Sequence, residues 1–92
     1  MATISISEVS EDNCDSFYVT VSAETTTTHH VTVDPAYTEK LTGGSTSAET
    51  LVEKSFEFLL ARESNTSILS SFDLPLIAQY FPDYEEAIRG ML

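Results

Sequence analysis

Ninety-two residues carry fifteen carboxylate side chains against four lysines and arginines, a formal net charge of −11 at pH 7. A field of that sign repels phosphate backbones, so nucleic-acid binding is disfavoured unless a partner supplies basic residues. Cys14 is the one cysteine, so no internal disulfide forms, and with no CxxC pair a structural zinc site is not expected.

The length suits one domain, residues 1–92, with one small core. The chain starts Met1-Ala2-Thr3-Ile4-Ser5, without a basic start or a long apolar run. No leader and no membrane span is expected, and the cytoplasm is the default location. Asn65-Thr66-Ser67 fits the glycosylation pattern, which is a chance match in a cytoplasmic chain.

The first third reads as strands. Ile4 and Ile6 alternate with Thr3, Ser5 and Ser7. After a polar turn from Ser10 to Asp15, Phe17, Val19 and Val21 share one face and Tyr18, Thr20 and Ser22 the other. Val31 and Val33 share a face in the next run. Strict alternation of β-branched and aromatic residues is the signature of half-buried strands, and the short connections predict an antiparallel three-stranded meander.

The remainder reads as helices. Asp34-Pro35 supplies an N-cap and a proline at the first helical position, and Gly43-Gly44 a stop after Leu41. The longest helix opens near Ser45, where Thr46 and Glu49 have the spacing of a capping box. Leu51, Val52, Ser55, Phe56 and Leu59 form its apolar stripe, and Phe58 and Leu60 lie off it, so burial on more than one side is expected. The connection Ser64–Asp73 has room for one helical turn, anchored by Ile68, Leu69 and Phe72. Asp73 is placed to cap a helix that Pro82 interrupts. A last helix has Pro82 near its start, acids in its first turn, Arg89 near its end and Gly90 after it. The fold class is therefore α+β: an N-terminal three-stranded antiparallel meander followed by three to four helices packed on one sheet face.

The candidate chemistry is sparse. His29 and His30 are adjacent on a strand and point to opposite faces, so they do not chelate one ion. His29 is expected at the core margin, hydrogen-bonded, and His30 in solvent. Cys14 sits in Glu11-Asp12-Asn13-Cys14-Asp15, where carboxylates disfavour the thiolate. No catalytic, metal-ligating or cofactor-binding residue is assigned, and no cofactor is expected. Glu49, Glu53 and Glu57 form an i, i+4 stripe that is either a solvated face or a docking stripe for a basic partner. Tyr80-Phe81-Pro82-Asp83-Tyr84 is the densest aromatic segment, and it either closes the core or presents an interface. Met91 and Leu92 either tuck against the core or meet a second subunit.

Residues 29–63, from His29-His30-Val31-Thr32-Val33 through the two helices to Glu63, superficially resemble a ribbon-helix-helix DNA-binding segment. The ribbon lacks the basic or amide side chains that read base edges, the first helix is short, and a partner strand precedes it. The C-terminal two-thirds, with Val31-Thr32-Val33-Asp34-Pro35 and Leu51-Val52-Glu53-Lys54-Ser55, look like a family of small uncharacterised bacterial proteins. That resemblance implies a bacterial origin and a cytoplasmic location and supplies no catalytic residue.

The sequence thus points to a non-enzymatic protein–protein interaction module for an unknown, basic protein partner. Its candidate partner-binding residues are Glu49, Glu53, Glu57, Tyr80, Phe81 and Tyr84, and a homodimer is a further candidate. The alternatives are a ribbon-helix-helix-like transcriptional regulator and a small enzyme with an unrecognised pocket.

Overall fold

Alternation in the first third builds three strands of eight residues each: β1 (Thr3–Ser10), β2 (Asp15–Ser22) and β3 (Thr26–Val33). The computed structural model describes residues 3–10, 15–44 and 46–92, and the expectations about Cys14 and its acidic neighbours in the turn fall outside them. The strands pair antiparallel in chain order, with Ile4 opposite Val21, Ile6 opposite Val19 and Phe17 opposite Val31. Phe17, Val19, Val21, Val31 and Val33 are buried. Ile4 and Ile6 are only half-buried, because among the described residues β1 has a neighbouring strand on one side alone.

A fourth strand, β4 (Ser71–Asp73), joins the sheet parallel to β3, with Phe72 opposite Val31. The three N-terminal strands form the expected antiparallel meander, and β4 extends it, among the described residues, to a mixed four-stranded sheet. Parallel neighbours need a crossover connection, and the first two helices supply it. Two backbone bonds fix the pairing: His30 N–H donates to the Ser70 carbonyl and Leu74 N–H to the Thr32 carbonyl, each at 2.8 Å. Three residues are too few for a period-2 pattern, so tertiary pairing alone makes this strand.

Helix α1 (Pro35–Thr42) begins and ends as its sequence predicts. The Asp34 carboxylate accepts the Ala36 N–H at 2.8 Å, and Gly43, at φ 67°, donates its N–H to the Glu39 carbonyl. Helix α2 (Ala48–Leu60) is capped by Ser47, whose hydroxyl accepts the Thr50 N–H at 3.3 Å. The cap is thus one residue later than the Thr46–Glu49 box proposes. Two adjacent hydroxyl residues offer the same local chemistry, and Ser47 takes the role. Leu51, Val52, Ser55, Phe56, Phe58 and Leu59 of α2 are all buried, because α2 meets β1, α1 and the last helix.

A 3-10 turn (Asn65–Ser67) and α3 (Leu76–Tyr80) follow, then α4 (Tyr84–Met91). Asp73 does not cap α3: it lies in β4 and its carboxylate accepts the Thr32 hydroxyl. Phe81 is extended (φ −129°, ψ 91°), as a residue before proline prefers. Pro82 precedes the Asp83 cap position, and Gly90 lies inside α4 instead of ending it. Tyr84 and Ile88 of α4 and Ile77 of α3 join Phe17, Val52 and Phe56 in one core cluster. The chain is thus α+β: the described residues form a mixed sheet and four α-helices.

Candidate functional site

The six residues singled out in the sequence fall into three environments. Glu49, Glu53 and Glu57 are exposed along α2, and Glu57 meets Lys54 at 3.4 Å. Tyr80 is 66% exposed and Phe81 half-buried beside it. Tyr84 is 0% exposed, so it belongs to the core and not to a contact surface, a correction to its place among the partner-binding residues.

Tyr84 is held by a short chain of hydrogen bonds. Ser55 Oγ donates to the Leu51 carbonyl at 2.7 Å and lies 2.6 Å from the Tyr84 hydroxyl. One hydroxyl has one proton, so Tyr84 is the donor to Ser55. Burial pushes the Tyr84 phenol up to about 12, the hydrogen bond with Ser55 opposes that rise, and the Glu85 carboxylate adds to it. On the same helix the Glu85 carboxylate accepts the Tyr37 hydroxyl at 2.9 Å. Burial first, and then that bond, raise the Tyr37 phenol far above its ordinary value.

Tyr80 and Phe81 form one wall of an apolar cleft of about 340 Å³. Leu59 at the end of α2, Ile68 and Leu69 of the connection, Phe72 of β4 and Ile77 of α3 form the rest, and Glu63 and Ser67 add polar groups. Leu69 is 48% exposed, so it lines the cleft instead of anchoring the connection. Ile68, one residue earlier, is the anchor. The Leu69 carbonyl is bonded to His29, which holds this turn of the chain.

His29 is buried, with Nδ1 2.7 Å from the Leu69 carbonyl and Nε2 2.8 Å from Thr27 Oγ1. A carbonyl only accepts, so Nδ1 carries the proton and Thr27 donates to Nε2. Thr27 Oγ1 in turn accepts from Asn65 Nδ2 at 3.0 Å, and the same amide donates to the Thr25 carbonyl at 2.7 Å. This relay ties the 65–69 connection to the β2–β3 hairpin. The His29 ring also packs 5.5 Å from Phe56.

On the other sheet surface, the His30 ring lies 5.0 Å from Tyr18 and its Nε2 bonds Ser16 Oγ. His30 is therefore partnered, not merely solvated as expected. Ser16 is wholly buried. The Arg62 guanidinium lies 3.7 Å over the Phe58 ring and its Nη2 3.2 Å from Asp83. Phe58 meets Phe81 edge-on at 5.8 Å. Phe81, beside Tyr80 in the wall, is thus tied to α2 by this edge contact with Phe58, and the Arg62–Asp83 ion pair joins the chain just after α2 to the start of α4.

Among the described residues, no group of three His, Cys, Asp or Glu side chains is arranged to hold a metal ion. No described helix is long and apolar enough to cross a membrane. Composition points to the aromatic segment, but the cleft depends on Leu59, Glu63 and Phe72 arriving from separate elements, for which the sequence carries no signal. The chain matches no family model, no curated protein sequence and no solved structure.

Proposed function

We propose that this protein is a non-enzymatic interaction module that seats an apolar side chain of a basic protein segment in the cleft walled by Leu69, Tyr80 and Phe81. The observation that carries the reading is the cleft itself: about 340 Å³, apolar walls, and a carboxylate, Glu63, in its lining. Apolar anchors that enter such pockets supply most of the binding energy of an interface. The surrounding charge of −11, with Glu49, Glu53 and Glu57 exposed on α2, steers a basic segment toward it. The cleft is lined by apolar side chains with Glu63 and Ser67, and Ser16, which bonds His30, is buried. The ribbon-helix-helix alternative needs a free edge on the ribbon, whereas β3 is paired on both sides.

The test uses a short peptide of alternating leucine and lysine, titrated into the isotopically labelled protein and followed by amide chemical shifts. The expected result is saturable shifts at Leu69, Tyr80 and Phe81, weaker at high salt and lost in Tyr80→Ala. Shifts spread evenly over the acidic surface, or unchanged by Tyr80→Ala, overturn the proposal.

A further inference from the structure

The two edges of the sheet are unequal. β4 ends one side with three residues, whereas β1 ends the other with eight. Short edge strands, charged side chains, prolines and bulges are among the devices that stop sheets from adding further strands. β1 is long and has no proline and no bulge: its register against β2 is unbroken from Thr3 to Ser10, and its one charge, Glu8, lies outside residues 3–7. Ile4 and Ile6 remain half-buried there while their partners Val21 and Val19 are fully buried. A strand added outside β1 completes that burial.

We propose that β1 pairs antiparallel with β1 of a second copy of this chain, centred on Ser5, to give a continuous eight-stranded sheet. Charge selects the segment, and the self-complementary pattern of that segment selects a second copy as its occupant. Two chains of −11 repel each other over most of their surfaces, but residues 3–7 carry no charge at all. Side-chain alternation selects the register, since the apolar faces of both copies align only when paired residue numbers sum to an even value. A two-fold axis at Ser5 sets Ile4 against Ile6 of the other copy, twice, and Thr3 against Ser7. Glu8 then lies just beyond the paired residues. Moving the axis to Ile6 or Ser7 sets Glu8 against an isoleucine, and moving it to Ile4 shortens the overlap. The cleft at β4 lies three strands away, roughly 14 Å at the usual spacing, so both clefts of the dimer stay open.

Sedimentation velocity across a concentration series, together with cysteine cross-linking in a Cys14→Ser background, tests it. Opposed residues of an antiparallel pair sit about 4.5–5.5 Å apart at Cα, within disulfide reach. Ser5→Cys therefore forms a disulfide dimer under mild oxidation. Ser7→Cys does not, because its two copies are offset by four residues, roughly 13 Å along the strand. The dimer dissociation constant falls several-fold as salt screens the net charge. Ser5→Glu weakens the dimer several-fold, while Thr28→Glu, the same charge change on an exposed residue of β3, leaves it near wild type. A chain that stays monomeric up to its solubility limit, or Ser7→Cys cross-linking as readily as Ser5→Cys, overturns the proposal.

Discussion

Removing the Ser55 hydroxyl separates a satisfied buried polar pair from an orphaned one. In the native chain Tyr84 donates to Ser55, which donates to Leu51, and neither Ser55 nor Tyr84 is exposed. Tyr84→Phe removes one hydrogen bond and leaves Ser55 bonded to Leu51, at a cost of about 1 kcal/mol. Ser55→Ala strands the Tyr84 hydroxyl in a water-free site, which costs about 2–3 kcal/mol. The double substitution removes both polar groups, and its cost is about 1–1.5 kcal/mol, less than that of Ser55→Ala alone. The coupling between the sites is thus about 2 kcal/mol, near the upper part of the range for residues in contact. Urea unfolding followed by circular dichroism reads this directly. A cost of about 2 kcal/mol moves the midpoint by on the order of 1 M when the slope is ordinary for a small protein. Costs that add to within about 0.5 kcal/mol would refute the reasoning, because the phenol would then have another acceptor or access to water.

Two further outcomes follow from the same geometry. Because the folded state raises the Tyr84 phenol to about 12 from its ordinary 10.0, its contribution is fully present below pH 10 and is lost as pH rises through 12. The loss is roughly 2–3 kcal/mol, and Tyr37, raised in the same sense, adds to it. Melting temperature against alkaline pH should fall less steeply in Tyr84→Phe, and identical slopes would contradict the assignment. Asn65→Leu removes the donor that holds Thr25 and Thr27, at a cost of about 1–3 kcal/mol. Hydrogen exchange should then quicken at the β2–β3 hairpin end before it does at Phe17 and Val31. Uniform acceleration would show that the amide is not a local clamp.

Legibility tracked the range of the interaction. Period-2 alternation placed Ile4, Ile6, Phe17, Val19, Val21, Val31 and Val33 on one face, and the three long strands follow it with an unbroken register. Asp34-Pro35 and Gly43 set both ends of α1 through contacts within four residues. Adjacency of His29 and His30 already placed their rings on opposite sheet faces. These are local determinants, since a strand's face and a helix's cap depend on neighbours in the chain.

Tertiary structure decided what depends on distant partners. Ser71–Asp73 became a strand only because β3 offered an edge. That pairing moved Asp73 away from the capping role its position suggested. Gly90 stays helical because Ile88 and Tyr84 anchor α4 in the core. The aromatic segment was conspicuous by composition, yet the same letters divide into an exposed Tyr80 and a buried Tyr84. Helical rotation after Pro82 and the reach to Ser55 make that division. The cleft is the furthest case. Its walls come from α2, the connection, β4 and α3, and no spacing within one element encodes a hollow between four.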